Sequence, residues 1–93
     1  VARGTFIISD KYEEIGNQIL DQMDRGVTIF AGKGFYSGVK QNVLYCVVPK
    51  RQITELKNLV NKIDPHAFVS LTYVHEVLGE GFTLDENKNP LER

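Results

Sequence analysis

The chain has one cysteine, three prolines, no tryptophan and no long apolar run, and each scarcity removes a class of protein. Cys46 alone cannot close an intramolecular disulfide, which excludes the stapled scaffold of many small secreted domains. Its place inside Val43-Leu44-Tyr45-Cys46-Val47-Val48 reads as a small hydrophobe in a core, in keeping with a reducing cytosol. No stretch approaches the ~20 apolar residues that cross a bilayer, and no signal-peptide pattern opens the chain. The formal charge of −1 gives no reason to expect nucleic acid or an anionic membrane as the main partner. No Ser/His/Asp, Cys/His or paired-carboxylate constellation can be assembled, so the chain is expected not to be an enzyme.

What is present fits one small globular domain. With 93 residues, 42% hydrophobic and 25% charged, the chain supports a single core and a thin stability margin. Charge is unevenly spread. Residues 33–62 carry six basic groups against Glu55 alone, and residues 63–93 carry two basic against six acidic groups. Such a basic stretch is either a place to hold an anion or a set of solvated helix and loop charges. A start at Val1-Ala2-Arg3-Gly4 rather than Met suggests a piece excised from a longer protein, with residues 1–4 a disordered or cloning-derived start.

Hydrophobic periodicity gives the elements. Thr5–Ser9 reads as a strand, and Asp10 with Glu13 as a capping box opening a helix that runs to about Arg25 and stops at Gly26. Its apolar stripe is Tyr12, Ile15, Ile19 and Met23. Val27–Ala31 is a second strand and Val43–Val48 a third, ended by Pro49. A second helix over Gln52–Ile63 presents Ile53, Leu56, Val60 and Ile63, and Asp64-Pro65 breaks it. Phe68–Val74 is the fourth strand. The domain therefore spans 5–84, followed by a polar tail over 85–93 that is expected to fray.

The order β-α-β, hairpin, β-α-β is that of two interleaved split βαβ units. The fold class is therefore α+β: a ferredoxin-like βαββαβ domain whose four-stranded antiparallel sheet, in the order 4-1-3-2, carries both helices on one face. An open antiparallel sheet should alternate apolar with polar. Six consecutive apolar residues in the third strand, and Phe6-Ile7-Ile8 in the first, break that alternation. The second sheet face is thus expected to be covered by another copy of the chain.

Two segments are candidate sites. In Gly32-Lys33-Gly34-Phe35-Tyr36-Ser37-Gly38, the glycines let backbone N–H groups turn to an anion, Lys33 adds charge, and Phe35 and Tyr36 offer ring faces. It lacks the phosphate-loop and dinucleotide signatures, and on motif alone it is a long hairpin loop. In the second segment His75-Glu76 invites a metal reading, but Gly79 stands where a zinc-protease helix needs its second histidine. No metal site is expected, and Gly79 and Gly81 read as shaping a turn that carries Phe82 to a neighbour or ligand. Lys50-Arg51 is a weaker phosphate candidate.

Four segments together carry a resemblance: Ile7-Ile8-Ser9-Asp10-Lys11, Arg25-Gly26-Val27-Thr28, Gly32–Gly38, and Val74-His75-Glu76-Val77-Leu78-Gly79-Glu80-Gly81-Phe82. Over residues 5–82 the chain resembles the C-terminal cytosolic domain of unknown function of YitT-type bacterial membrane proteins. That family is similar to the PII (GlnB-like) signalling superfamily, trimers that bind nucleotides or related effectors between subunits, beside the loop joining the second and third strands. The resemblance implies a regulatory, ligand-sensing module at the cytoplasmic face of the inner membrane. Its partners would be itself, as a trimer, the transmembrane region of its parent, and a small anionic or nucleotide-like ligand, with no nucleic acid and no named cofactor. The ligand-binding residues would be Gly32, Lys33, Gly34, Phe35, Tyr36, Gly38, His75, Glu76, Gly79, Gly81 and Phe82. A structural oligomerisation domain without a small-molecule ligand is the alternative.

Overall fold

The computed structural model describes residues 2–74, 76–79 and 82. Strand β1 (Ala2–Ile8) leads into helix α1 (Tyr12–Gln18), which continues as a wider π-helical turn over Ile19–Met23. Strands β2 (Thr28–Lys33) and β3 (Lys40–Pro49) form a hairpin. A 3₁₀ turn (Lys50–Gln52), helix α2 (Ile53–Ile63) and strand β4 (Phe68–Val74) follow. The sheet order is β2-β3-β1-β4 with every neighbour antiparallel, the expected order read from the other edge.

Both helices cover one face. Ile15, Ile19 and Met23 from the first helical segment meet Leu56, Leu59, Val60 and Ile63 of α2 over Ile7, Leu44, Cys46 and Val48 of the sheet. The stripes read from the sequence are these residues apart from Leu59, which also packs into the core, with Tyr12 and Ile53 at the margin. Alternate residues of the same strands form the open face, where Phe6 stands 39% exposed, Phe30 51% and Phe68 63%. Tyr45 bridges the first two, its ring 4.8 Å from Phe6 and 6.3 Å from Phe30. The unbroken apolar run of β3 thus divides into three core residues and an apolar outer row.

Several boundaries differ from the sequence reading. β1 starts at Ala2, not Thr5, because the ten-residue β3 and the end of β4 offer ladder partners to Ala2, Arg3 and Gly4. Those three residues therefore belong to the domain, and the Arg3 guanidinium sits 4.1 Å from the centre of the Tyr73 ring. Asp10 makes no capping bond. Instead the Lys11 N–H donates to Ser9 Oγ at 2.9 Å before the helix begins. Asp24, in the left-handed region at φ 55°, ends the helical segment before Gly26 is reached. Aspartate tolerates that conformation better than most side chains. Gly32 and Lys33 lie in β2, paired with Gln41 and Lys40, so the loop proper is only 34–39.

Candidate functional site

At one end of the sheet, Ile8 pairs with both Val43 and Phe68; at the other, Ala2 pairs with both Pro49 and Val74. The Ile8 end holds a groove of ≈ 460 Å³, where the β1–α1 turn and the α2–β4 turn meet the turn-proximal end of the β2–β3 hairpin. Ser9, Asp10, Lys11 and Tyr12 line it from the first turn, Lys40, Gln41 and Asn42 from β3, and Asp64, His66 and Phe68 from the second turn and β4.

Asp64 organises this end. Its carboxylate accepts from Ser9 Oγ at 2.5 Å and from the His66 backbone N–H at 2.9 Å, an Asx turn that starts the link into β4. The Lys11 ammonium donates to the Ile63 carbonyl at 3.2 Å. The Ser9 hydroxyl, then the His66 N–H, with the Lys11 and His66 charges adding, hold the Asp64 carboxyl below the ordinary carboxylate value. Two loops distant in sequence are thereby fixed to each other, and the groove between them is preformed. It offers two ammonium groups, an imidazole, two amides and a phenol, with the Phe68 ring as an apolar wall. Asp10 and Asp64 oppose a densely charged ligand. That set suits a small anion carrying a ring.

A second hollow of ≈ 250 Å³, between α1 and β2, is lined by Leu20, Val27, Ile29, Leu44 and Tyr12 with Glu13 and no cation. Its polar groups are Tyr12, Glu13 and Asn17, with no cation to balance an anion. Among the described residues no group of three His, Cys, Asp or Glu side chains is placed to bind a metal.

The sequence candidates are distributed differently. Gly32 and Lys33 end β2 just above the groove, while Phe35 and Tyr36 project fully into solvent at 106% and 102% exposure. The Gly34 N–H donates to the Val39 carbonyl and the Gly38 N–H to the Gly34 carbonyl, each at 2.9 Å. Both donors therefore close the turn rather than face an anion. Gly38, at φ 70°, is where the turn requires glycine.

The other segment leaves β4 at the opposite end of the sheet. Between the two ends runs the ten-residue β3, about 30 Å of strand. Glu76 is exposed, Gly79 has φ 139°, and the Phe82 N–H donates to the Gly79 carbonyl at 3.2 Å. The Phe82 ring lies 4.7 Å from the Arg25 guanidinium. Arg25 in turn donates from Nε to Gln52 Oε1 at 2.7 Å, and its pKa is lowered by burial first and by Arg51 next. His75 and Gly81 lie outside the described residues. Within one chain the two candidate segments are not brought together. Lys11, Lys40, Asn42, Asp64 and His66, which are, come from stretches too far apart to form a motif. The one local signal was Asp64-Pro65-His66, a turn signature that the sequence reading took only as a helix stop.

A family model described as "Uncharacterized protein conserved in bacteria (DUF2179)" matches residues 25–79. Similar curated proteins include the UPF0750 membrane protein YpjC of Bacillus subtilis, 59% identical over 92 residues, covering 99% of this chain and 32% of that protein. UPF0750 membrane protein YitT of the same organism is 26% identical over 73 residues, covering 78% of this chain and 26% of its own length. The chain thus spans about a third or less of these relatives. A DUF2179 protein of Eubacterium ventriosum superposes with TM-score 0.69 at 29% identity, over 77% of this chain and 99% of that one. A functionally unknown protein from Pediococcus pentosaceus shares the fold, with TM-score 0.70 at 14% identity, over 85% and 96% of the two chains. Among the described residues no helix is long and apolar enough to cross a membrane.

Proposed function

We propose that this chain, which belongs to the DUF2179 family of uncharacterised bacterial proteins, is the oligomerising, effector-sensing part of a membrane protein, placed at its cytoplasmic face. The observation that carries the reading is the groove below the β2–β3 turn, whose lining includes Lys11, Lys40, Asn42 and His66 beside an Asp64 already hydrogen-bonded to Ser9 and the His66 N–H. Its ligand is a small, nucleotide-like anion. The role is binding rather than catalysis. In an assembly, the segment Glu76–Gly79 of a neighbouring copy closes the groove that this chain leaves open. A resemblance to PII-type sensors would imply the same arrangement.

The open sheet face supports assembly. Phe6, Phe30, Val43, Tyr45 and Phe68 share it, and a contiguous aromatic face of this kind marks an interface more often than a solvated surface. A homotrimer is the favoured state. Light scattering at tens of micromolar should give a mass above that of the monomer, and a monomer would remove this half of the proposal.

A thermal-shift screen tests the other half, using ATP, ADP, cyclic mono- and dinucleotides and S-adenosylmethionine. A specific binder at 100 times its Kd stabilises the native state by about 2.7 kcal/mol. An oligomer that none of these compounds stabilises would instead favour a purely structural assembly domain.

A further inference from the structure

We propose that the tip of the β2–β3 hairpin docks on an anionic lipid surface, with Phe35 and Tyr36 entering the headgroup boundary and Lys33 pairing with lipid phosphates. This goes beyond effector binding, which uses Lys40, Gln41 and Asn42 below the turn of the same hairpin. Phe35 and Tyr36 are adjacent, fully exposed and outside every contact of the core. Two such rings at the apex of a strand pair that is itself exposed along all of β2 gain nothing from the fold. Aromatic rings of this kind are favoured where apolar bodies meet a wet polar layer.

The charges beside them match that layer. Lys33 and Lys40 lie directly opposite each other in the ladder, a like-charge pair that costs stability unless an anion lies against it. From Arg25 to Thr54 the chain has no acidic residue and five basic ones, so the hairpin carries a positive field that the net charge of −1 conceals. Two similar curated proteins are membrane proteins, and the stretch that matches this chain is 26–32% of their length. A domain tethered to a bilayer meets lipid at a high effective concentration, so weak docking suffices.

The absence of tryptophan makes the test local. Phe35→Trp places one fluorophore at the tip, and Leu20→Trp places one on a half-exposed position of the helical layer as a control. Neither site contributes to the core. Titrated with phosphatidylglycerol-containing vesicles, Phe35→Trp should shift to the blue and become protected from an aqueous quencher, and salt should reverse both changes. Leu20→Trp should not respond. Adding Lys33→Gln to Phe35→Trp should raise the lipid needed for half-binding roughly fivefold. Three results would overturn the proposal: no shift at position 35, an equal shift at position 20, or the same shift with pure phosphatidylcholine.

Discussion

Raising the pH from 8 to 11 should unfold this domain partly through a single thiol. Cys46 is 2% exposed in the centre of β3, packed among Ile7, Leu44 and the α2 side chains, and burial pushes its thiol from 9.0 up to about 11. The folded state therefore holds the proton more tightly than the unfolded chain does. Stability contributed by this difference is fully present below about pH 9 and is lost as the pH climbs through the folded value. The gap corresponds to about 3 kcal/mol, a large fraction of what a domain this size possesses. The measurement is a difference against a variant that lacks only the thiol. Urea denaturation at pH 8, 9, 10 and 11 should show the wild type losing stability faster than Cys46→Ala. At pH 8 the native thiolate is about a hundredfold scarcer than in a free thiol, so an aromatic disulfide reagent should label Cys46 only as fast as the sheet opens. Parallel pH profiles for the two proteins, or complete labelling within the mixing time, would refute the burial argument.

The remaining predictions concern the core and the Asp64 turn. Leu56→Ala, at a fully buried position, should cost about 2–5 kcal/mol by urea melt. The exposed Leu78→Ala should cost less than about 0.5 kcal/mol in the same assay. Thr5 is fully buried and its Oγ1 has no hydrogen-bond partner, so Thr5→Val should stabilise the fold by about 1 kcal/mol. Asp64 has a lowered pKa, so its contribution is present above the ordinary value of 3.8 and lost as the pH falls through the folded one. Wild type and Asp64→Asn should therefore converge in stability at acid pH, and a constant difference between pH 7 and pH 3 would contradict that.

Most of the architecture was legible because the apolar stripes of the two helices are strong and the apolar runs of β3 and β4 are local. The missed boundaries have physical causes. Gly32 and Lys33 look like loop residues, but Gln41 and Lys40 opposite them extend the ladder, and pairing outweighs glycine's poor strand propensity. Ala2–Gly4 lack a strand signature and are held by β3 and β4 on both sides. Gly26 was the obvious stop, yet Asp24 turns the chain two residues earlier. The site was least legible. The hairpin drew attention through its glycines, two of whose N–H groups serve the turn itself. Lys40 and His66 line one groove only when antiparallel pairing sets the start of β3 towards the α2–β4 turn.

Backbone amide mapping by heteronuclear NMR tests the central claim most directly, with ADP and ATP titrated into wild type and Lys40→Ala. The account predicts saturable shifts at Ser9–Tyr12, Lys40–Asn42 and Asp64–Phe68. With one charge-assisted bond removed, affinity in Lys40→Ala should fall about tenfold or more. Shifts confined to other surfaces, equal affinity in Lys40→Ala, or no saturable shift with either nucleotide would contradict an effector site in the groove below the β2–β3 turn.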